Sequence, residues 1–299
     1  MKPDTRSFYE QVVQQAIEHI ARNLDGALDL ETVAGTACLS PFHFHRVFRG
    51  MVGETPLEFT RRMRLERAAW ALRDPDRAIT EIAFDAGYET HEAFTRAFRA
   101  SYSTSPSGFR TRTHPRIELT ACCGVHFDPG GSVPPFVPRD SGGRTMDVDI
   151  KEMPQLRVGA VHHVGPYNQI VEAFGTLNSI AHRAGLFRHP GTAMIAIYYD
   201  DPETTAQEDL RSDAAIVVPD SIELPEGLEE QRITGGRYAR AVHVGPYETL
   251  GDAWARFLGE WLPASGHRVG TGSMYEIYRN DPTKVAKDQL QTDMYISLE

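Results

Sequence analysis

Arginine recurs at matching places in the first third of this 299-residue chain, at Arg46 and Arg49 and again at Arg96 and Arg99. Each pair shares a helical face with polar or aromatic neighbours. Phe42, His45, Arg46 and Arg49 fall at i, i+3, i+4 and i+7, opposite an apolar set of Phe44, Val47 and Phe48, with His43 between the two faces. Position for position, Glu92, Thr95, Arg96 and Arg99 fall opposite Phe94, Ala97 and Phe98, and His91 opens that stretch. A guanidinium on such a face can bond a guanine edge bidentately, and residues at a helix start reach base edges. Any one such face could equally be a solvated one. Two copies with aligned arginines point to double-stranded DNA.

A second candidate lies near the C-terminus. In the stretch MYEIY, strand alternation puts Met274, Glu276 and Tyr278 on one face. The related stretch MIAIY, Met194–Tyr198, has Ala196 where Glu276 stands. A carboxylate in a central strand is costly unless paired. Set between Met and Tyr, it could hold a lipophilic cation through charge and cation–π contact, or pair with a structural arginine at a sheet edge. Glu276 with a tyrosine could also act as acid or base. No nucleophile–His–acid arrangement is readable, so no catalytic residue is assigned. Cys122 and Cys123 lie between His114 and His126, a spacing that matches no common metal motif. No metal or cofactor is expected.

The elements that must position the arginines form a repeat. Leu30–Pro56 and Ile79–Pro106 align with one residue inserted in the second copy. Each reads as a short helix, a tight turn and a second helix with its own cap: Ser40 before Pro41, and Thr90 before His91. This is the helix-turn-helix pattern.

A second repeat occupies the other half. HVGPY occurs at His163–Tyr167 and at His243–Tyr247, and Met194, Tyr198, Asp201–Pro202 and Asp213 recur at the same offset as Met274, Tyr278, Asp281–Pro282 and Asp293. Each copy reads strand, Gly-Pro turn, helix, strand, Asp-Pro turn, strand. Neither can close a core alone, so the two should join across a pseudo-twofold axis. Between the repeats, DPGGSVPPFVPRDSGG over Asp128–Gly143 reads as linker. The expected organisation is an all-α double helix-turn-helix domain over 1–115 (units 30–56 and 79–106), a linker over 116–146, and an α+β domain over 147–299.

Charge follows this division. Residues 1–116 hold 16 Lys+Arg against 15 Asp+Glu, and residues 117–299 hold 15 against 26. Nucleic acid must meet the first part, and the second favours cations or neutral molecules. No long apolar run or secretory h-region is present, so no membrane partner is expected. An odd number of cysteines in such a chain suggests reduced thiols and a cytoplasmic, nucleoid-associated location.

Residues 8–112 resemble the AraC/XylS family of bacterial transcription regulators. The resemblance rests on Ala34, Ser40, Arg46 and Phe48 in their spacing, IAFDAGY (Ile82–Tyr88), FTRAFR (Phe94–Arg99) and PSGFR (Pro106–Arg110). It implies two recognition helices in successive major grooves of promoter DNA, held apart by a connecting helix over Pro56–Leu72, with RNA polymerase as a further partner. The Arg61, Arg62, Arg64 and Arg67 side chains of that helix are candidates for phosphate contact or for a solvated face. Phe42, His45, Arg46, His91, Glu92, Thr95 and Arg96 become base-reading candidates. Cys38 near the first turn, where the second copy has Gly87, and the acid Glu92 depart from the pattern. Residues 147–299 resemble the GyrI-like effector-binding domain through HVGPY, YYDDP, YEIYRNDP and TDMYISL. That implies a groove for a small hydrophobic or cationic effector, with Glu276 as its charge partner and Tyr167, Tyr198, Tyr247, Trp254, Met274 and Tyr278 as walls. GyrI-like domains also resemble some hydrolases of small reactive compounds and include a gyrase-inhibitor branch, so the resemblance leaves a small-molecule hydrolase or a protein-partner module as alternatives.

Overall fold

The computed structural model describes residues 5–26, 32, 34–35, 41–113, 115–139, 146–200 and 205–299. The first short helix of the 30–56 unit, Cys38, the Ser40 cap, the Phe42 side chain, His114 and the Asp201–Pro202 turn lie outside the described residues. The chain divides into two compact units whose bodies are Ser7–Gly142 and Gly143–Glu299.

The helical unit opens with α1, Thr5–Arg22. Its Tyr9, Val12, Val13, Ala16, Ile17 and Ile20 are buried, the stripe that the three- and four-residue spacing dictates. Helix α2, Pro41–Val52, buries Phe44, Val47 and Phe48 as expected. The connecting helix α3 spans Pro56–Ala71 and starts at a capping box: the Thr55 hydroxyl accepts from the Glu58 amide, and the Glu58 carboxylate accepts from the Thr55 amide. Helix α4, Ile79–Asp85, turns through Gly87 into α5, His91–Tyr102. The Thr90 side chain caps α5 by accepting from the Ala93 amide at 3.1 Å. Phe94 and Phe98 pack inward with Leu65, Ala69 and Ile82, and short α6, Pro106–Arg110, closes that core with Phe109. Residues 117–139, expected as linker, pack along this unit with Cys123 and Val125 buried.

The second unit is one antiparallel eight-stranded sheet in the order β1-β6-β8-β7-β3-β4-β2-β5. The strands are β1 Val148–Met153, β2 Leu156–Val164, β3 Met194–Tyr198, β4 Arg211–Val217, β5 Glu229–Ile233, β6 Gly236–Val244, β7 Tyr275–Tyr278 and β8 Gln291–Ser297. The structure adds a leading strand to each repeat and exchanges it: β1 pairs with β6, and β5 pairs with β2. Helix α7, Val171–Arg183, lies between β2 and β3. Its counterpart α8, Leu250–Arg256, runs on through a π-helical turn at Phe257–Trp261. The duplicated HVGPY is a hinge from strand to helix. Gly165 and Gly245 sit at φ of +133° and +139°, a region that side chains strongly disfavour. Each donates its amide to the leucine carbonyl before the last strand of its own repeat, Leu210 or Leu290. His163 and His243 close the turn from their side chains onto the Pro166 and Pro246 carbonyls.

Alternation divides the sheet into two faces. Ala196, Ala214 and Ile216 meet Leu177, Ile180 and Ala181 of α7. The other face buries Ile195, Ile197, Tyr238, Tyr275 and Tyr295. It also holds two fully buried carboxylates at equivalent positions, Asp213 and Asp293. Asp213 takes hydrogen bonds from His162, Tyr199 and Gln231, whereas Asp293 takes them from Arg240 and Arg279. No described helix is long and apolar enough to cross a membrane.

Candidate functional site

Strand β7 carries Glu276 onto the helix-covered face, where it is 2 % exposed. The indole of Trp254, from α8, donates to its Oε1 at 2.7 Å, and the Tyr278 hydroxyl donates to its Oε2 at 2.8 Å. Both of these donors are neutral. The Tyr198 and Tyr278 hydroxyls meet at 3.2 Å. Tyr167 packs edge-on against Tyr198 at 4.8 Å, and Tyr247 packs likewise against Tyr278 at 5.2 Å. Phe174 of α7 adds a further edge contact to Tyr278. Burial first, and then the Glu276 charge, raises the Tyr278 phenol well above its ordinary pKa, so it stays a proton donor. Burial and the same carboxylate also raise Tyr247.

The wall residues expected from the sequence thus converge, with two distinctions. Trp254 is a direct hydrogen-bond partner of the carboxylate rather than a wall alone. Tyr167 spends its hydroxyl on the Asp200 backbone carbonyl, a structural bond. Met274 is buried immediately before β7. This arrangement presents negative charge inside a ring of aromatic faces, chemistry suited to a desolvated cation.

On the helical unit, α5 presents His91, Glu92, Arg96 and Arg99 to solvent, with Thr95 half-buried beside them. Thr90 and Gly87 aim this face by fixing the entry to α5. Helix α2 is more embedded: His43, Arg46 and Arg49 are half-buried. Burial, followed by the Arg46 charge, lowers the His43 pKa to about 4, so its imidazole is neutral at physiological pH. His45 corrects the expectation from spacing. It is 3 % exposed, because the buried arc of α2 is wider than the i, i+3, i+4 stripe.

The connecting-helix arginines also differ from expectation. Arg62 is buried, with its Nε between both Glu54 oxygens and its Nη1 on Glu66. Arg64 donates to the Leu24 and Gly26 carbonyls, and Arg67 to Asp25 and the Asp85 carbonyl. Arg61 alone of the four is exposed. A side chain that closes a helix end is indistinguishable in sequence from one that reaches phosphate. Glu66, 1 % exposed on α3, was missed for a similar reason: in the chain it reads as an ordinary surface acid. Cys122 is exposed and Cys123 buried, and His126 bonds Glu66 rather than either thiol.

Residues 146–299 match the GyrI-like small molecule binding domain, and residues 33–112 match a helix-turn-helix domain. The chain therefore belongs to the GyrI-like family and carries an AraC-type helix-turn-helix domain, the architecture of a DNA-binding transcription regulator with a small-molecule-binding domain. It is 36% identical over 104 residues to the regulatory protein SoxS of Salmonella typhimurium, covering 35% of this chain and 97% of that one. It is 31% identical over 155 residues to the DNA gyrase inhibitor of Yersinia enterocolitica, covering 50% of this chain and 95% of that one. It is 38% identical over 104 residues to the HTH-type transcriptional regulator YbfP of Bacillus subtilis, covering 35% of this chain and 35% of that one.

Proposed function

We propose that α2 and α5 read successive major grooves of promoter DNA, and that a small hydrophobic cation bound against Glu276 changes this regulator's output. The observation that carries the effector half is the buried Glu276 carboxylate, held by two neutral donors inside a ring of tyrosines. A cation entering there gains a charge partner already desolvated and oriented, together with aromatic faces. It controls transcription only insofar as it binds the DNA-active and inactive states with different affinity. RNA polymerase is the proposed partner at the promoter, and the cytoplasmic nucleoid the proposed location. The test is thermal stabilisation of the full chain by tetraphenylphosphonium against a neutral compound of matched shape. Equal stabilisation by both compounds would remove Glu276 from the effector site.

A further inference from the structure

Residues 117–139 contain no helix or strand. A stretch of that length ordinarily leaves its backbone groups to water. Here the helical unit takes them up one after another. Tyr102 of α5 donates to the Ile117 carbonyl at 2.6 Å. Glu66 of α3 accepts from the Leu119 amide at 3.0 Å, the Phe127 amide at 2.8 Å and His126 Nδ1 at 2.9 Å. Arg62 donates to the Val125 carbonyl at 3.0 Å. The Phe136 amide donates to Gln14 of α1 at 3.0 Å, and the Arg139 amide to the Met51 carbonyl of α2 at 2.7 Å.

The order of these contacts matters. The strap is fastened to the second recognition helix at one end, to the connecting helix in the middle, and to α1 and the first recognition helix at the other end. Any change in the separation of α2 and α5 must break or stretch some of these bonds. The bond from Arg62 to the Val125 carbonyl is buried and those of Glu66 and Tyr102 are partly buried, where an unmade partner is costly. The helix-turn-helix match ends at residue 112, so the strap is an addition to that domain. After its last bond at Arg139, the same chain runs on into β1 at Val148.

We propose that residues 117–139 are a brace that holds the two helix-turn-helix units at the spacing DNA requires, and that the effector-binding half acts on DNA by changing how firmly this brace is seated. The second clause rests on the effector reading above; the first does not.

Two readouts on the full chain test it. The first uses a duplex selected by the protein from a random pool, compared with duplexes carrying one base pair more or fewer between the two contacted half-sites. Wild type should prefer the selected spacing by about tenfold, because half-site separation is a geometric property of the bound protein. Glu66→Ala should bring that preference close to unity. Tyr102→Phe, which removes one strap bond and keeps the ring packing on Phe98 and Phe109, should reduce it in part. Spacing preference unchanged in both variants, with both folded by circular dichroism, overturns the brace.

The second readout is hydrogen exchange at the Leu119 and Phe127 amides with and without tetraphenylphosphonium. A severalfold change that disappears in Glu276→Gln supports coupling through the strap. Thermal stabilisation by the cation with exchange unchanged overturns the coupling but leaves the effector reading standing. No stabilisation at all overturns the effector reading and the coupling together, while the spacing result still decides the brace.

Discussion

Glu276 stands directly opposite Ala196, the residue that holds its own position in the first repeat. In the register of β3 and β7, Met194 faces Tyr278 and Ala196 faces Glu276, so this pair lies on the pseudo-twofold axis, where a position meets itself. Paired residues on neighbouring strands have Cβ atoms about 5 Å apart. Perfect symmetry would place either two carboxylates face to face or none. The repeat therefore had to diverge here if one buried charge was to be kept. The Tyr198–Tyr278 contact spans the same axis and kept its symmetry, because a neutral hydroxyl can both give and accept.

Ala196→Glu would restore the forbidden symmetry. Two facing carboxylates raise the folded-state pKa of one above its unfolded value. The charge cost is then absent at acid pH and appears as pH rises through the raised pKa, on top of a pH-independent packing cost at the buried Ala196. The expected loss near neutrality is about 3–5 kcal/mol, the scale of an uncompensated buried charge. Thermal melts between pH 4 and pH 8 check it, and a variant equally destabilised throughout that range would refute the charge argument.

Glu276→Gln tests the proposed effector contact. Glutamine can accept from the Trp254 indole through its carbonyl and donate its NH2 to the Tyr278 hydroxyl, which can turn to Tyr198, so the unliganded variant should stay folded with a small change in Tm. The informative quantity is the ligand-induced rise in Tm, measured from each protein's own unliganded baseline. Stabilisation by tetraphenylphosphonium should largely vanish, and any stabilisation by the neutral compound should persist.

Arg96 and Arg64 separate base reading from support. Arg96→Ala should weaken binding to a selected duplex by ~1–3 kcal/mol and leave random DNA nearly untouched. Equal losses on both duplexes would demote Arg96 to a phosphate contact. Arg64 bonds the carbonyls that follow α1, so Arg64→Ala should lower Tm. The salt dependence of DNA binding should stay the same, whereas a shallower slope would show that Arg64 neutralises a phosphate.

Asp293 predicts the acid limit of the second unit. Burial alone would raise its pKa, but the hydrogen bonds and charges of Arg240 and Arg279 outweigh that and hold it below the usual carboxylate value. A depressed folded-state pKa contributes stability above the unfolded value, about 3.9, and loses it as pH falls through the folded value. Arg240→Gln should therefore move acid unfolding to higher pH, followed by near-UV circular dichroism. An unchanged midpoint would show that Arg279 alone suffices.

The sequence by itself determined what is local or repeated. Phe44, Val47 and Phe48, then Phe94 and Phe98, marked the buried sides of α2 and α5, because helical periodicity fixes which residues share a face. Thr90 and the glycines of HVGPY marked their turns, because caps and positive φ demand particular residues. The constant offset between repeats singled out Glu276 as the point of difference. Tertiary structure decided what depends on partners far along the chain. His45 is buried although spacing put it outside. Arg62, Arg64 and Arg67 turn to carbonyls and acids instead of outward. β1 and β5 exchange places between repeats, and the Trp254 indole reaches Glu276. Glu66 gathers the Leu119 and Phe127 amides and the His126 ring, ordering a stretch that has no helical or strand periodicity. None of these has a short-range signature. A hydrogen-bond donor in sequence is the same residue whether its acceptor is water, phosphate or a carbonyl sixty residues away, and only the folded chain chooses among them.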